Sequence, residues 1–128
     1  MLDLSRFPIH HIGIAVSEFE FVKLTHGKNV NYDKTQGVHT YFEFNSLFNC
    51  YIEYFTTTGR AKNYSTGFNH ICYDIDSLDN LLRILSNFTN YQIAIQLTEI
   101  EKSGSNECNN VVFYFISGIG IVEFNIHD

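Results

Sequence analysis

The sequence predicts an α+β fold built from two tandem βαβββ units, on three observations. A strand opening with His-Ile occurs twice, at His11-Ile12-Gly13-Ile14-Ala15-Val16 and at His70-Ile71-Cys72-Tyr73-Asp74-Ile75. A helix start follows each strand. Each half then closes on an apolar-Glu-aromatic triplet, Ile52-Glu53-Tyr54 and Val122-Glu123-Phe124. His11 lies 59 residues before His70 and Glu53 lies 70 before Glu123, so the offsets are close enough to read as an internal repeat.

The elements follow in order. After the first strand, Ser17-Glu18-Phe19-Glu20 has the hydroxyl and the carboxylate of a capping box, which starts a helix. Gly27 and the polar Lys28-Asn29 follow soon after, so only about two turns are expected. Val38, Thr40, Phe42 and Phe44 alternate with His39, Tyr41, Glu43 and Asn45 as a strand does, and a turn at Asn45-Ser46 leads into Asn49–Phe55. In the second half, Asp76-Ser77 precedes Leu78, Leu81, Leu82, Leu85 and Phe88, an apolar stripe at helical spacing. Val111–Ile116, a Ser117-Gly118 turn and Ile119–Phe124 then make the closing hairpin. One domain is expected over 1–128, with module one at about 9–58, a polar linker at about 57–66 and module two at about 67–127.

Composition narrows the partners. The chain has 128 residues, 45% hydrophobic and 17% charged, enough to bury a core without a disulfide or metal staple. Fourteen acidic residues against eight basic ones give a net charge of −6. The bases are scattered, with no stripe to neutralise a phosphate backbone, so neither nucleic acid nor an anionic membrane is an expected partner. No apolar run approaches the ~18 residues of a membrane span. The start lacks the basic and long apolar regions of a secretory signal, and Cys50, Cys72 and Cys108 are odd in number without CxxC spacing. A cytoplasmic protein without a disulfide framework is expected.

Strand alternation shows which face carries the chemistry. His11 shares a face with Gly13 and Ala15, His70 with Cys72 and Asp74, and Glu123 with Ile121 and Asn125. In all three strands the opposite face is apolar and is expected to pack on the helices. Glu53 has bulky companions in Tyr51 and Phe55, and its match to Glu123 is its main support. A lone strand His is more often structural, and a lone strand Glu is more often a solvated charge. Two matching His and Glu pairs in apolar strands are different, because an unpaired buried carboxylate costs several kcal/mol. Two imidazoles and two carboxylates form a mixed N/O set suited to Zn, Co, Ni, Mn or Fe as a divalent ion. His10 reads as structural on the packing side, His26 and His127 as surface residues, and Cys72 as a buried strand thiol. His39, Tyr41 and Asn69 remain unranked as substrate or supporting groups.

At Ile9-His10-His11-Ile12-Gly13-Ile14-Ala15-Val16, Gln36-Gly37-Val38, Ile52-Glu53, Gly67-Phe68-Asn69-His70-Ile71 with Asp74-Ile75-Asp76, and Gly120-Ile121-Val122-Glu123, the chain resembles the vicinal oxygen chelate superfamily, the glyoxalase and methylmalonyl-CoA epimerase group. The resemblance implies the glyoxalase/bleomycin-resistance fold, whose mixed sheet curls around a metal cleft. It implies His11, Glu53, His70 and Glu123 as metal ligands. It also implies an isomerase, epimerase or lyase that moves a proton beside a carbonyl through a metal-chelated enediolate. Glu123 is the first candidate for the proton carrier and Glu53 the second. A small carbonyl or acyl thioester substrate and a homodimer are implied too.

Two departures argue against methylmalonyl-CoA itself. Thr40 stands where the epimerase branch has a catalytic Glu, while Glu43 points to the other face. The stretch from Val16 to Gln36 is also several residues short of the family norm. The same fold also hosts metal-free small-molecule binding proteins of the bleomycin-resistance type and extradiol-type iron dioxygenases, and these are the rival readings. A thioester carrier would need basic groups at the rim, for which Arg60, Lys62 and Lys34 are available.

Overall fold

A computed structural model describes residues 4–86, 94–104 and 107–127. In chain order the elements are β1 (Ile9–Val16), α1 (Glu18–Leu24), β2 (Asn31–Asp33), β3 (Val38–Asn45), β4 (Cys50–Thr56), β5 (Gly67–Ile75), α2 (Leu78–Ser86), β6 (Ala94–Gln96), β7 (Glu101–Lys102), β8 (Asn110–Ile116) and β9 (Gly120–Ile126). The strands form one curled, open mixed sheet in the order β2-β3-β4-β1-β5-β9-β8-β6, with β7 also paired to β8. The α+β class read from the sequence is the class observed.

The repeat is visible in the strand registers. β1 runs parallel to β4 with His11 opposite Tyr51, and β5 runs parallel to β9 with His70 opposite Ile121. In each half the carboxylate therefore lies two residues beyond the histidine's partner, at Glu53 and at Glu123. β1 and β5 meet antiparallel at the centre of the sheet, with Gly13 opposite His70 and His11 opposite Cys72. Side chains two apart on a strand share a face. All four polar groups are thereby brought to the concave side of the same four strands.

The two outer faces are covered unequally. In the second half, Ile75, Leu81, Val112, Ile116, Val122, Phe124 and Ile126 form the main core, closed at one side by Leu4. Leu81 carries α2 onto the sheet, with Leu78 and Leu85 packed partly against it, as the helical stripe predicts. Leu82 is exposed instead, and Phe88 lies outside the described residues. In the first half α1 has two turns, capped by Ser17, whose Oγ accepts from the Glu20 amide at 3.2 Å. It buries only Phe21 and leaves Phe19 and Val22 71% and 67% exposed. Packing of the first helix on its sheet is thus slighter than expected, because seven residues cannot cover the apolar row Ile12, Ile14 and Val16, which stays half-buried.

Two further differences have local causes. β2 and β6 are three-residue edge strands, too short to carry a period-2 pattern, and neither was assigned from sequence. The pairing of β1 with β5 shifts register between Ile9 and His11. That bulge sets an extra residue into β1. It brings His10 against the His11, Phe42 and Tyr51 rings, with centroids 5.0, 6.2 and 5.5 Å away, instead of onto the packing side as strict alternation predicted.

Among the described residues no helix is long and apolar enough to cross a membrane.

Candidate metal centre

The four side chains singled out from sequence converge. His11 Nε2 lies 2.9 Å from Glu123 Oε1 and 3.4 Å from Glu53 Oε1. His70 Nε2 lies 3.2 Å from Glu123 Oε1 and 3.4 Å from Glu53 Oε1. The two Nε2 atoms are 3.2 Å apart. Donors about 2.1 Å from a shared ion lie roughly 3.0 Å apart at right angles and roughly 3.4 Å apart at tetrahedral angles. All five separations fit donors disposed around one ion. Two nitrogens and two carboxylate oxygens also have the borderline-to-hard character that a divalent transition metal prefers.

Burial makes the cluster an electrostatic unit. His11, His70 and Glu123 are 1, 3 and 4% exposed, so these charges have little water to screen them. Burial by itself would lower both imidazoles. For His11 the electrostatics of Cys72, Glu123 and Glu53 outweigh it and hold the ring well above its usual range. For His70 the hydrogen bonds and charges of Glu123 and Glu53 do the same. Burial would raise the Glu53 carboxyl, but the two facing imidazoles hold it down at about 2. Glu123 is depressed further for the same reasons. Carboxylates and imidazoles thus favour each other's charged forms, an electrostatic setting that also suits a divalent cation.

The glycine at position 13 makes room for this. A Cβ there would lie 2.6 Å from His70 Nε2, inside the imidazole that lies across the strand pair. His70 is edged by Phe113 and His11 and flanked by Phe55, and its Nδ1 lies 2.8 Å from Asn69 Oδ1. His11 Nδ1 lies 2.7 Å from His10 Nδ1. Among the described residues every fully buried side-chain nitrogen and oxygen has a partner.

The tetrad sits in a cavity of about 380 Å³. Its walls are apolar, from Val38, Phe42, Phe55, Leu97, Phe113 and Ile121, and its polar groups besides the tetrad include Asp33, Gln36, Arg60, Asn69, Thr98 and Glu101. Arg60 Nη1 pairs with Glu101 Oε2 at 2.9 Å. The Gln36-Gly37 turn holds that arginine's backbone, since the Arg60 amide donates to the Gln36 carbonyl at 2.8 Å. Asp33 organises the same turn by accepting from the Thr35 and Gln36 amides.

Other sequence candidates fall elsewhere. Thr40 is buried beside Asn31, opposite Phe55, and is not part of the cavity wall. Glu43 is exposed on the outer face. Cys72 lies beneath His11 and is fully buried, its thiol pushed well up by burial and by Glu123. Tyr41 meets Lys28 outside the cavity, and His39 stacks on Tyr32. His26 is exposed, while His127 is half-exposed and pairs with Asp74 at 2.8 Å. Of the three bases suggested for the rim, Arg60 lines the cavity, and Lys34 and Lys62 do not. Sequence reasoning missed Asp33 and Cys108. The Asp33-Lys34-Thr35-Gln36-Gly37 turn signature could have found the first. No local pattern marks Cys108, a loop thiol that burial pushes up to about 11.

No protein-family model matches the sequence, and no curated protein matches it. Solved structures do match. A hypothetical protein from Bacillus halodurans C-125 is 18% identical over 94% of both chains, with a TM-score of 0.64. A Streptomyces coelicolor methylmalonyl-CoA epimerase variant in complex with 2-nitronate-propionyl-CoA is 18% identical over 94% of this chain and 96% of that one, with a TM-score of 0.58. The methylmalonyl-CoA epimerase from Mycobacterium tuberculosis is 17% identical over 100% of this chain and 93% of that one, with a TM-score of 0.56. At these identities the likeness establishes the fold, which is that of the vicinal oxygen chelate superfamily.

Proposed function

We propose that this chain is a divalent-metal-dependent epimerase or isomerase that moves a proton on the carbon beside a carbonyl. The observation that carries the reading is the convergence of two imidazole and two carboxylate donors at the floor of an apolar-walled cavity. His11, Glu53, His70 and Glu123 would hold the ion. When bound, a divalent ion supplies Lewis acidity, lowering the pKa of a C–H next to a carbonyl and stabilising the charge that develops. The fold shared with methylmalonyl-CoA epimerases is consistent with that chemistry.

The residues of the chain divide the remaining work. Glu123, buried and facing both imidazoles, is the assigned proton carrier, and Glu53 on the opposite module is the second candidate. Returning the proton to the other face of the same carbon gives epimerisation, and to the next carbon gives isomerisation. Phe42, Phe55 and Phe113 exclude water from the reacting face, which strengthens each electrostatic contact there. Thr40 cannot act as a base at neutral pH and stands outside the cavity wall, so the proton route differs from one that uses a carboxylate at that position. Arg60, already paired with Glu101, is the one lysine or arginine lining the cavity among the described residues. That sparse set favours a small 2-oxo acid or short acyl thioester over a substrate anchored through several phosphates.

The test is metal analysis of protein purified without chelator. A screen of 2-oxo acids and acyl thioesters for solvent deuterium incorporation follows it. Stoichiometric divalent metal, lost in His70→Ala, together with deuterium exchange, is the expected result. Glu123→Gln should lower turnover by about 10²–10⁴-fold, the usual contribution of a positioned general base. Metal-free protein that binds an apolar ligand tightly and exchanges no deuterium would overturn the reading in favour of a binding protein.

A further inference from the structure

We infer that His10 and Asn69 are paired positioning residues, each accepting the Nδ1–H of the metal-binding histidine that follows it and so presenting that ring's Nε2 lone pair to the ion. The inference rests on the metal-centre reading above.

The geometry is the same in the two halves. His11 Nε2 faces both carboxylates and His70, and His11 Nδ1 lies 2.7 Å from His10 Nδ1. His70 Nε2 faces the same carboxylates, and His70 Nδ1 lies 2.8 Å from Asn69 Oδ1. A neutral imidazole carries one proton, so a ring that ligates through Nε2 carries it on Nδ1. An amide oxygen only accepts, which fixes the His70 proton on Nδ1. Between two imidazole nitrogens at 2.7 Å one proton is shared, and with His11 as donor His10 accepts through Nδ1.

The acceptors are also chemically equivalent. Histidine Nδ1 and asparagine Oδ1 are both bonded to Cγ, so they reach the same distance from the backbone. Neighbouring strand residues ordinarily point to opposite faces, and each acceptor still reaches the ligand beside it. In β1 the bulge between Ile9 and His11 brings His10 round, and the Tyr51 and Phe42 rings hold it. Ligating histidines commonly have such partners on the other ring nitrogen, and losing one costs about 10–100-fold in metal affinity.

The experiment separates acceptor from shape. His10→Phe keeps the ring and removes the acceptor, while His10→Asn keeps a Cγ-linked acceptor and removes the ring. Asn69→Leu and Asn69→Asp make the same comparison at the second site. Zinc affinity is measured by competition with a chromophoric chelator, with the cobalt(II) ligand-field spectrum as a second readout. His10→Phe and Asn69→Leu are expected to lose about 10–100-fold in affinity with a shifted spectrum, and His10→Asn to stay within about threefold of the parent. Affinity retained in His10→Phe and lost in His10→Asn would mean packing, not acceptance, and would overturn the inference. If His10→Phe fails to fold, Asn69→Leu decides on the same criterion. Absence of zinc binding by the parent protein would instead sink the metal-centre reading itself. In zinc-loaded protein, nitrogen NMR should place the protons of His11 and His70 on Nδ1, and Nε2–H forms would refute the assignment.

Discussion

Gly13→Ala tests the centre without altering any donor. A methyl at this position would overlap His70 Cε1 and stand 2.6 Å from Nε2, whereas ordinary contact begins at 3.4 Å, so the ring must retreat by more than about 0.8 Å. Metal–ligand bonds tolerate about 0.2 Å. The required shift is several times larger, and the ring has nowhere easy to go. Phe113 and His11 edge it with centroids 5.3 Å away, Phe55 lies 5.8 Å away, and Asn69 holds Nδ1. Overpacking of this kind costs about 1–3 kcal/mol, so the metal-free variant should melt lower yet still fold. Its zinc affinity should fall at least about 100-fold, past the effect of removing a supporting partner. The decisive assay is a double-mutant cycle. In a His70→Ala background the clash disappears, and Gly13→Ala should cost nothing further in the stability of the metal-free protein. Affinity within threefold of the parent, or an undiminished penalty without the His70 ring, would refute the reasoning.

Four more outcomes follow from the structure. Zinc affinity should fall steeply with acid, by up to about two log units per pH unit below the raised pKa values of His11 and His70, because binding displaces a proton from each ring; a titration of affinity against pH checks it. For metal-free protein the signs oppose. Glu53, depressed from 4.5 to about 2, contributes stability that is present above pH 4.5 and lost as pH falls through about 2. The two histidines contribute below 6.5 and lose it as pH rises through their raised values, so urea melts should show this contribution greatest between pH 4.5 and 6.5. Leu81→Ala, in the second-half core, should cost about 2–5 kcal/mol by urea melt and leave zinc affinity unchanged. Zinc at a hundred times its dissociation constant should stabilise the protein by about 2.7 kcal/mol, and a chelator should reverse the rise in melting temperature.

What was legible in the sequence is what period-2 alternation and the repeat jointly determine. His11, His70 and Glu123 could be assigned to one face because their strand neighbours are small or polar there and apolar opposite. Glu53 could not be assigned that way, since Tyr51 and Phe55 share its face. Its place in the cluster comes from register, His11 opposite Tyr51 just as His70 is opposite Ile121. Alternation failed at His10, because a bulge inserts a residue and the parity on either side no longer agrees. It was silent on Asp33 and Cys108, which enter the cavity from a three-residue edge strand and a loop.

The same contrast explains the shape of the site. The four proposed ligands lie on four adjacent central strands, where ladder pairing leaves little freedom. Three other polar groups lining the cavity, Gln36, Arg60 and Glu101, lie on a turn, a short helical turn and a two-residue strand. Central pairing resists drift, because a one-residue slip would turn a ligand to the wrong face. Turns tolerate change, because few backbone bonds depend on them. On the proposed reading a centre fixed by ladder pairing is coupled to a rim of turns that is free to change, and Thr40, the hydroxyl at the position where the resemblance implies a base, is buried beside Asn31 instead.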